Sequence, residues 1–81
     1  MIWKNKIIIE NLKGSFEEIK NQIFIKLNDS NLFKDLDSLE NLKDADDISD
    51  FDYFLNEIYD YCDENKIWLE VKDLDLSEVT K

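Results

Sequence analysis

The apolar residues of this chain recur with two periods, and the period changes where polar clusters interrupt it. Residues 4–10 hold Ile7-Ile8-Ile9, a β-branched run between charges, which predicts a strand. Gly14 breaks that pattern. Ser15-Phe16-Glu17-Glu18 follows, a capping box with Ser15 as N-cap and Glu18 reaching back. Behind it Phe16, Ile19, Ile23 and Leu27 share one helical face. Ile25 falls on the opposite face: either it meets a partner or the helix is irregular there. Asn28 to Asn31 ends this helix. Leu32, Phe33, Leu36, Leu39 and Leu42 then recur at three- and four-residue steps, predicting a second helix from Leu32 to about Lys43. An acidic turn, Asp44-Ala45-Asp46-Asp47, leads into the clearest helix, which starts after Asp47 or Ser49. Its apolar face is Phe51, Phe54, Leu55, Ile58, Tyr61 and Cys62. Asn65 is the expected left-handed C-cap. Lys66 to Lys72 alternates, predicting a strand with Ile67, Leu69 and Val71 towards the core. The tail, 73–81, reads as a short helix capped by Asp75 or as a frayed end.

The order is strand, helix, helix, helix, strand. Two strands alone make a marginal sheet, so the helices must supply most of the core. The expected fold is α+β: one small two-layer domain over 1–81, of order β-α-α-α-β, with the helices packed on one face of a short sheet. Composition favours folding over disorder, since 43% of the residues are hydrophobic and 12% aromatic despite the charge.

Composition also removes whole classes of chemistry. All ten bases are Lys, with no Arg and no His. The commonest general base and metal ligand is therefore missing, as is any bidentate phosphate clamp. A single cysteine, Cys62, forms no internal disulfide. The opening, Met1 to Ile9, is basic then apolar but has no small-residue cleavage site and turns polar at Glu10, so it reads as a strand and not a signal peptide. No apolar run approaches the roughly 18–20 residues that cross a bilayer. A cytoplasmic location without membrane attachment is expected.

Charge changes the picture most. The chain carries 20 acids against 10 bases, a net charge of −10. Residues 1–34 have a net charge of +2, residues 35–64 of −11 and residues 65–81 of −1. On the long helix, at about 100° per residue from Phe51, the core face spans roughly −80° to +40° and the acids Asp52, Glu57, Asp60, Asp63 and Glu64 roughly 100° to 240°. Glu57, Asp60 and Glu64 form one stripe with Cβ atoms about 5–6 Å apart, near the spacing of phosphates along a nucleic-acid strand. Tyr53 falls among them and Tyr59 beside them, as interface anchors do. The bland alternative is a solvated face kept for solubility.

Three other constellations stand in the sequence. Asp44, Asp46, Asp50 and Asp52 suggest a calcium loop, but Ile48, Ser49 and Leu55 stand where an EF-hand needs an oxygen ligand, a glycine and a glutamate. Paired carboxylates are plentiful, yet nothing in the sequence marks a pair as buried or distinct. Phe33-Lys34-Asp35-Leu36-Asp37-Ser38-Leu39 resembles the attachment motif of acyl carrier proteins, acidic domains of about this length. That resemblance implies a phosphopantetheine arm on Ser38. Against the family pattern, the preceding glycine is absent, Glu40 to Asp47 are more polar, and the chain opens with a strand.

The leading expectation is a non-enzymatic acidic inhibitor, needing no cofactor and no metal, that binds the basic, nucleic-acid-binding surface of a target protein. Its site residues would be Asp44, Asp46, Asp47, Asp50, Asp52, Tyr53, Glu57, Asp60, Asp63 and Glu64. In general character it looks like phage anti-defence proteins, including anti-CRISPR proteins and DNA mimics. Immunity proteins and antitoxins that neutralise a basic nuclease toxin use the same physics and are the alternative; an acyl-carrier-like protein modified at Ser38 is a further one. Direct binding to nucleic acid is not expected, because the acidic face repels it and the +2 of residues 1–34 neutralises few phosphates.

Overall fold

The computed structural model describes residues 2–72. Their order is β1 (Asn5–Ile9), α1 (Phe16–Asp29), α2 (Asp37–Lys43), α3 (Ile48–Glu64) and β2 (Ile67–Val71), the α+β arrangement expected. The tail expected at 73–81, with Asp75 as cap, lies outside the described residues. β1 and β2 pair in parallel, Asn5 opposite Ile67 and Ile9 opposite Val71. Parallel neighbours cannot be joined by a hairpin, so the three helices form one long crossover between them. Alternation then sorts the side chains. Ile7, Ile9, Ile67, Leu69 and Val71 face or flank the core. Lys6 and Trp68 sit on the outer face, where Trp68 meets Trp3 edge to face at 5.3 Å between ring centroids.

α1 begins as its sequence dictates. The Glu18 amide donates to Ser15 Oγ (3.3 Å) and the Ser15 amide donates to Glu18 Oε1 (3.0 Å). The Ser15 amide, followed by its hydroxyl, lowers the pKa of the Glu18 carboxyl. Gly14 is required next to this box. Its φ is +111°, and a Cβ there would lie 2.7 Å from Glu18 Oε1. The helix stops where Ser30 Oγ donates to the Leu27 carbonyl (2.6 Å) and Asn31 turns left-handed at φ 61°.

Two expectations are corrected here. α2 starts at Asp37, not Leu32. The segment from Leu32 to Leu36 is a turn closed by the Leu36 amide on the Phe33 carbonyl (3.1 Å), and it drives Phe33 into the core without a helix. The three- and four-residue spacing there reflects inward anchors on irregular backbone. The left-handed residue after α3 is Lys66 (φ 60°), not Asn65, which stays at φ −104°. Asn65 instead donates its side-chain amide to the Tyr61 carbonyl (2.8 Å), capping the helix one residue before the chain turns into β2.

The core is one cluster shared by all five elements: Ile9, Ile19, Ile23, Leu27, Phe33, Leu39, Leu42, Ala45, Phe51, Leu55, Ile58, Cys62 and Ile67. Phe54, assigned by periodicity to the same face as Phe51, is only half-buried and stacks on Tyr53. Lys20 is the one buried charged side chain among the described residues. It is 4% exposed, and its ammonium donates to the Ala45 carbonyl (2.7 Å), pairs with Glu17 (3.0 Å) and lies 5.5 Å from the Phe16 ring centroid. One lysine of α1 thus pins the acidic turn between α2 and α3.

Replacing Phe51 by Ala should cost about 3–5 kcal/mol of stability. Lys20→Met keeps the apolar stem but deserts a buried carbonyl, and should cost about 1.5–3 kcal/mol. Denaturant titrations followed by circular dichroism measure both, and a Lys20→Met variant as stable as the parent would remove the pin from this account.

Candidate functional site

The acids of residues 35–64 emerge on one layer because α2 and α3 pack side by side and bury their Ser38, Leu39, Leu42, Phe51, Leu55, Ile58 and Cys62 sides. Asp44, Asp46, Asp47, Asp50, Asp52, Asp60, Asp63 and Glu64 are all exposed. Tyr53 is 60% exposed and stands with them, its ring edge to face with that of Phe54 at 5.2 Å between centroids. Tyr59 is half-buried, and burial, followed by the Cys62 and Asp52 charges, raises its pKa.

Glu57 does not belong to the free stripe in which its spacing placed it. It is half-buried and accepts a 2.6 Å hydrogen bond from Ser38 Oγ, which ties α2 to α3. Above this bond runs an open groove of about 260 Å³ lined by Leu36, Ser38, Glu57, Asp60, Tyr61 and Glu64. Tyr61 lines it with its ring, and its hydroxyl donates to the Leu32 carbonyl at 3.4 Å. Three carboxylates around an apolar-walled groove suit the stem and head of a lysine or arginine side chain. Neither Ser38 as a partner of Glu57 nor the groove was legible from periodicity within single helices, because both arise between helices.

Asp47 has a structural task as well. It is the N-cap of α3, with Oδ1 accepting from the Asp50 amide at 2.8 Å. Asp50 is also favourably placed, beside the positive end of the helix dipole. Asp63 and Glu64 are the reverse. They occupy the last turn of α3, which has no base, where an exposed anion costs about 0.3–1 kcal/mol. Among the described residues the ion pairs are Lys20 with Glu17 and Lys72 with Glu10, so none of the acids of 35–64 is neutralised by a base. Also among the described residues, no three acid or cysteine side chains converge as a metal site would require, Asp44, Asp46, Asp50 and Asp52 included.

Ser38 is 8% exposed and its hydroxyl is engaged by Glu57, whereas a phosphopantetheine arm needs a free serine at a helix start. Cys62 is buried in the core, and burial pushes its thiol up to about 11. Comparisons with protein-family models, curated proteins and solved structures return no match.

Ser38→Ala should cost about 0.5–1.5 kcal/mol by freeing a half-buried carboxylate from its donor. Cys62 should resist alkylation at neutral pH until the protein is unfolded. Its thiol ionises near 9 when unfolded and near 11 when folded, so its contribution to stability is full below pH 9 and lost as pH rises to 11. Thiol titration with and without denaturant, and melting curves between those pH values, check both statements.

Proposed function

We propose that this protein is a non-enzymatic inhibitor that lays its acidic α2–α3 layer on the basic, nucleic-acid-binding surface of a target protein and blocks it by occupancy. The observation that carries this reading is the uncompensated charge itself. Twelve acids and one lysine lie in residues 35–64, and no described base pairs with those acids. A fold-stabilising design would place lysines at i, i+4 from these acids and a base in the last turn of α3. Here Asp63 and Glu64 stand at the unfavourable end of the helix, and Asp60 and Glu64 repel each other one turn apart. Retaining acids at such cost favours a binding role over mere solvation. Tyr53, exposed beside Asp50 and Asp52, supplies an aromatic anchor, and the groove above Ser38 and Glu57 offers a seat for one basic side chain of the target.

A cytoplasmic protein of a phage or mobile element that disarms a defence nuclease fits this surface. So does an immunity protein or antitoxin against a nuclease toxin. The neighbouring genes separate the two, since a toxin gene beside this one assigns the second role. The burial of Ser38 weighs against a carrier function, and intact mass after incubation with a phosphopantetheinyl transferase tests that alternative directly.

The decisive variants avoid Glu57, whose contact with Ser38 is structural. Asp60→Lys with Glu64→Lys should abolish capture of the target from the native host while leaving circular dichroism unchanged. Tyr53→Ala should weaken binding by about 1–2 kcal/mol. The protein alone should shift neither DNA nor RNA in a gel at physiological salt. If the double reversal captures and inhibits like the parent, the acidic layer is only a solvated face.

A further inference from the structure

The sheet has an unpaired edge that is complementary to itself. In a parallel ladder, alternate residues of each strand point both backbone groups at the neighbour. Ile9, opposite Val71, accepts from the Lys72 amide at 2.8 Å, so the odd-numbered residues of β1 bond to β2; just before the strand the Lys66 carbonyl accepts from Lys4 (2.7 Å) and Asn5 (3.4 Å). In this register the N–H and C=O groups of Lys6, Ile8 and Glu10 face the other way, and no turn, loop or side-chain group among the described residues pairs with them. Such an edge is a template for another strand.

We propose that this edge is where a second copy of the chain docks, antiparallel to β1 and centred on Ile8, giving a four-stranded sheet of order β2-β1-β1-β2. The sequence of β1 fits that two-fold register. Ile8 lies opposite Ile8 of the copy, and Lys6 lies opposite Glu10 in both halves. All the outward groups of Lys6, Ile8 and Glu10 are then satisfied reciprocally, as an isologous interface requires. Opposite charges directly across antiparallel strands add to the pairing. Centred one residue earlier, on Ile7, the register would set Lys6 against Ile8; centred on Lys6, it would set lysine against lysine.

Two further observations place the interface on this side. Along the end of β1 runs an open groove of about 250 Å³ lined by Ile9, Glu10, Leu12, Gln22, Ile25 and Lys26. Within it Ile25, the residue that broke the amphipathic pattern of α1, is 54% exposed. In this register Ile9 lies opposite Ile7 of the copy, so each groove, with Ile25, lies beside the β1 strand of the other copy. The charge agrees as well. Residues 1–34 are net +2, whereas the strongly acidic α3 packs chiefly on β2 within the sheet. Association through β1 therefore turns the acidic layers outward, to opposite ends of the pair, where both stay open. The proposal does not rest on the inhibitor reading.

Sedimentation equilibrium of the full chain from micromolar to millimolar concentration tests it. The parent should approach twice the monomer mass. Ile8→Pro removes an outward donor without touching the ladder to β2, and Ile25→Asp charges the groove; each should shift the dissociation constant at least tenfold towards monomer with circular dichroism unchanged. Lys6→Glu and Glu10→Lys should each weaken the dimer, and the two together should restore it, which only the stated register predicts. A parent that is monomeric throughout overturns the proposal, including the case in which the edge instead takes a strand from a target protein. A dimer indifferent to Ile8→Pro, or a charge swap without restoration, overturns it too.

Discussion

The parallel pairing of the first and last strands is the constraint on which the rest of the structure depends. β1 and β2 are short, and alone they would make a sheet of marginal stability. Because they run in the same direction, everything between them must travel back across one face of the sheet. That crossover is α1, α2 and α3, and it holds most of the core residues. The sheet closes the chain, and the helices make closing it favourable. Neither layer is complete without the other, so the loss of a fully buried side chain such as Phe51 is felt in both.

The same arrangement separates the charges. α1 and β1 come from the near-neutral part of the sequence; α2, the 44–47 turn and α3 come from the part with a net charge of −11. Packing α2 against α3 concentrates that charge on one layer, and repulsion within it opposes the fold. Lys20 counters this from inside. Its ammonium is bound to a backbone carbonyl in the acidic turn, so a cation sits beneath the most acidic connector without neutralising its exposed carboxylates. Ser38 and Glu57 do a similar job on the seam between the two acidic helices with a single neutral donor. Stability is thus supplied below the surface while the surface stays anionic.

Element order, the capping box at Ser15, the core faces of α1 and α3 and the inward set of β2 were legible because each is a local pattern with one dominant period. Four features were not. The direction of strand pairing depends on the path of the crossover, which no local pattern encodes. Leu32, Phe33 and Leu36 imitate a helical stripe, yet Asn31 has already taken the left-handed conformation that ends α1. Asn65 carries the composition of a left-handed cap, but its side chain found the Tyr61 carbonyl and passed the turn to Lys66. Lys20 carries no mark of burial in its local pattern, and only the approach of Ala45 gives its ammonium a buried acceptor. For the acidic surface, exposure was legible at every predicted aspartate, at Glu64 and at Tyr53. The exception, Glu57, was claimed by a contact between helices.

Whether the acidic layer works by complementing a basic surface is tested most directly by the association rate with the captured target as a function of salt. Contacts steered by opposite charge form faster at low ionic strength, and screening acts on that step more than on dissociation. The account predicts an association rate constant that falls steeply as salt rises, with a dissociation rate that changes little. An association rate indifferent to salt would contradict it.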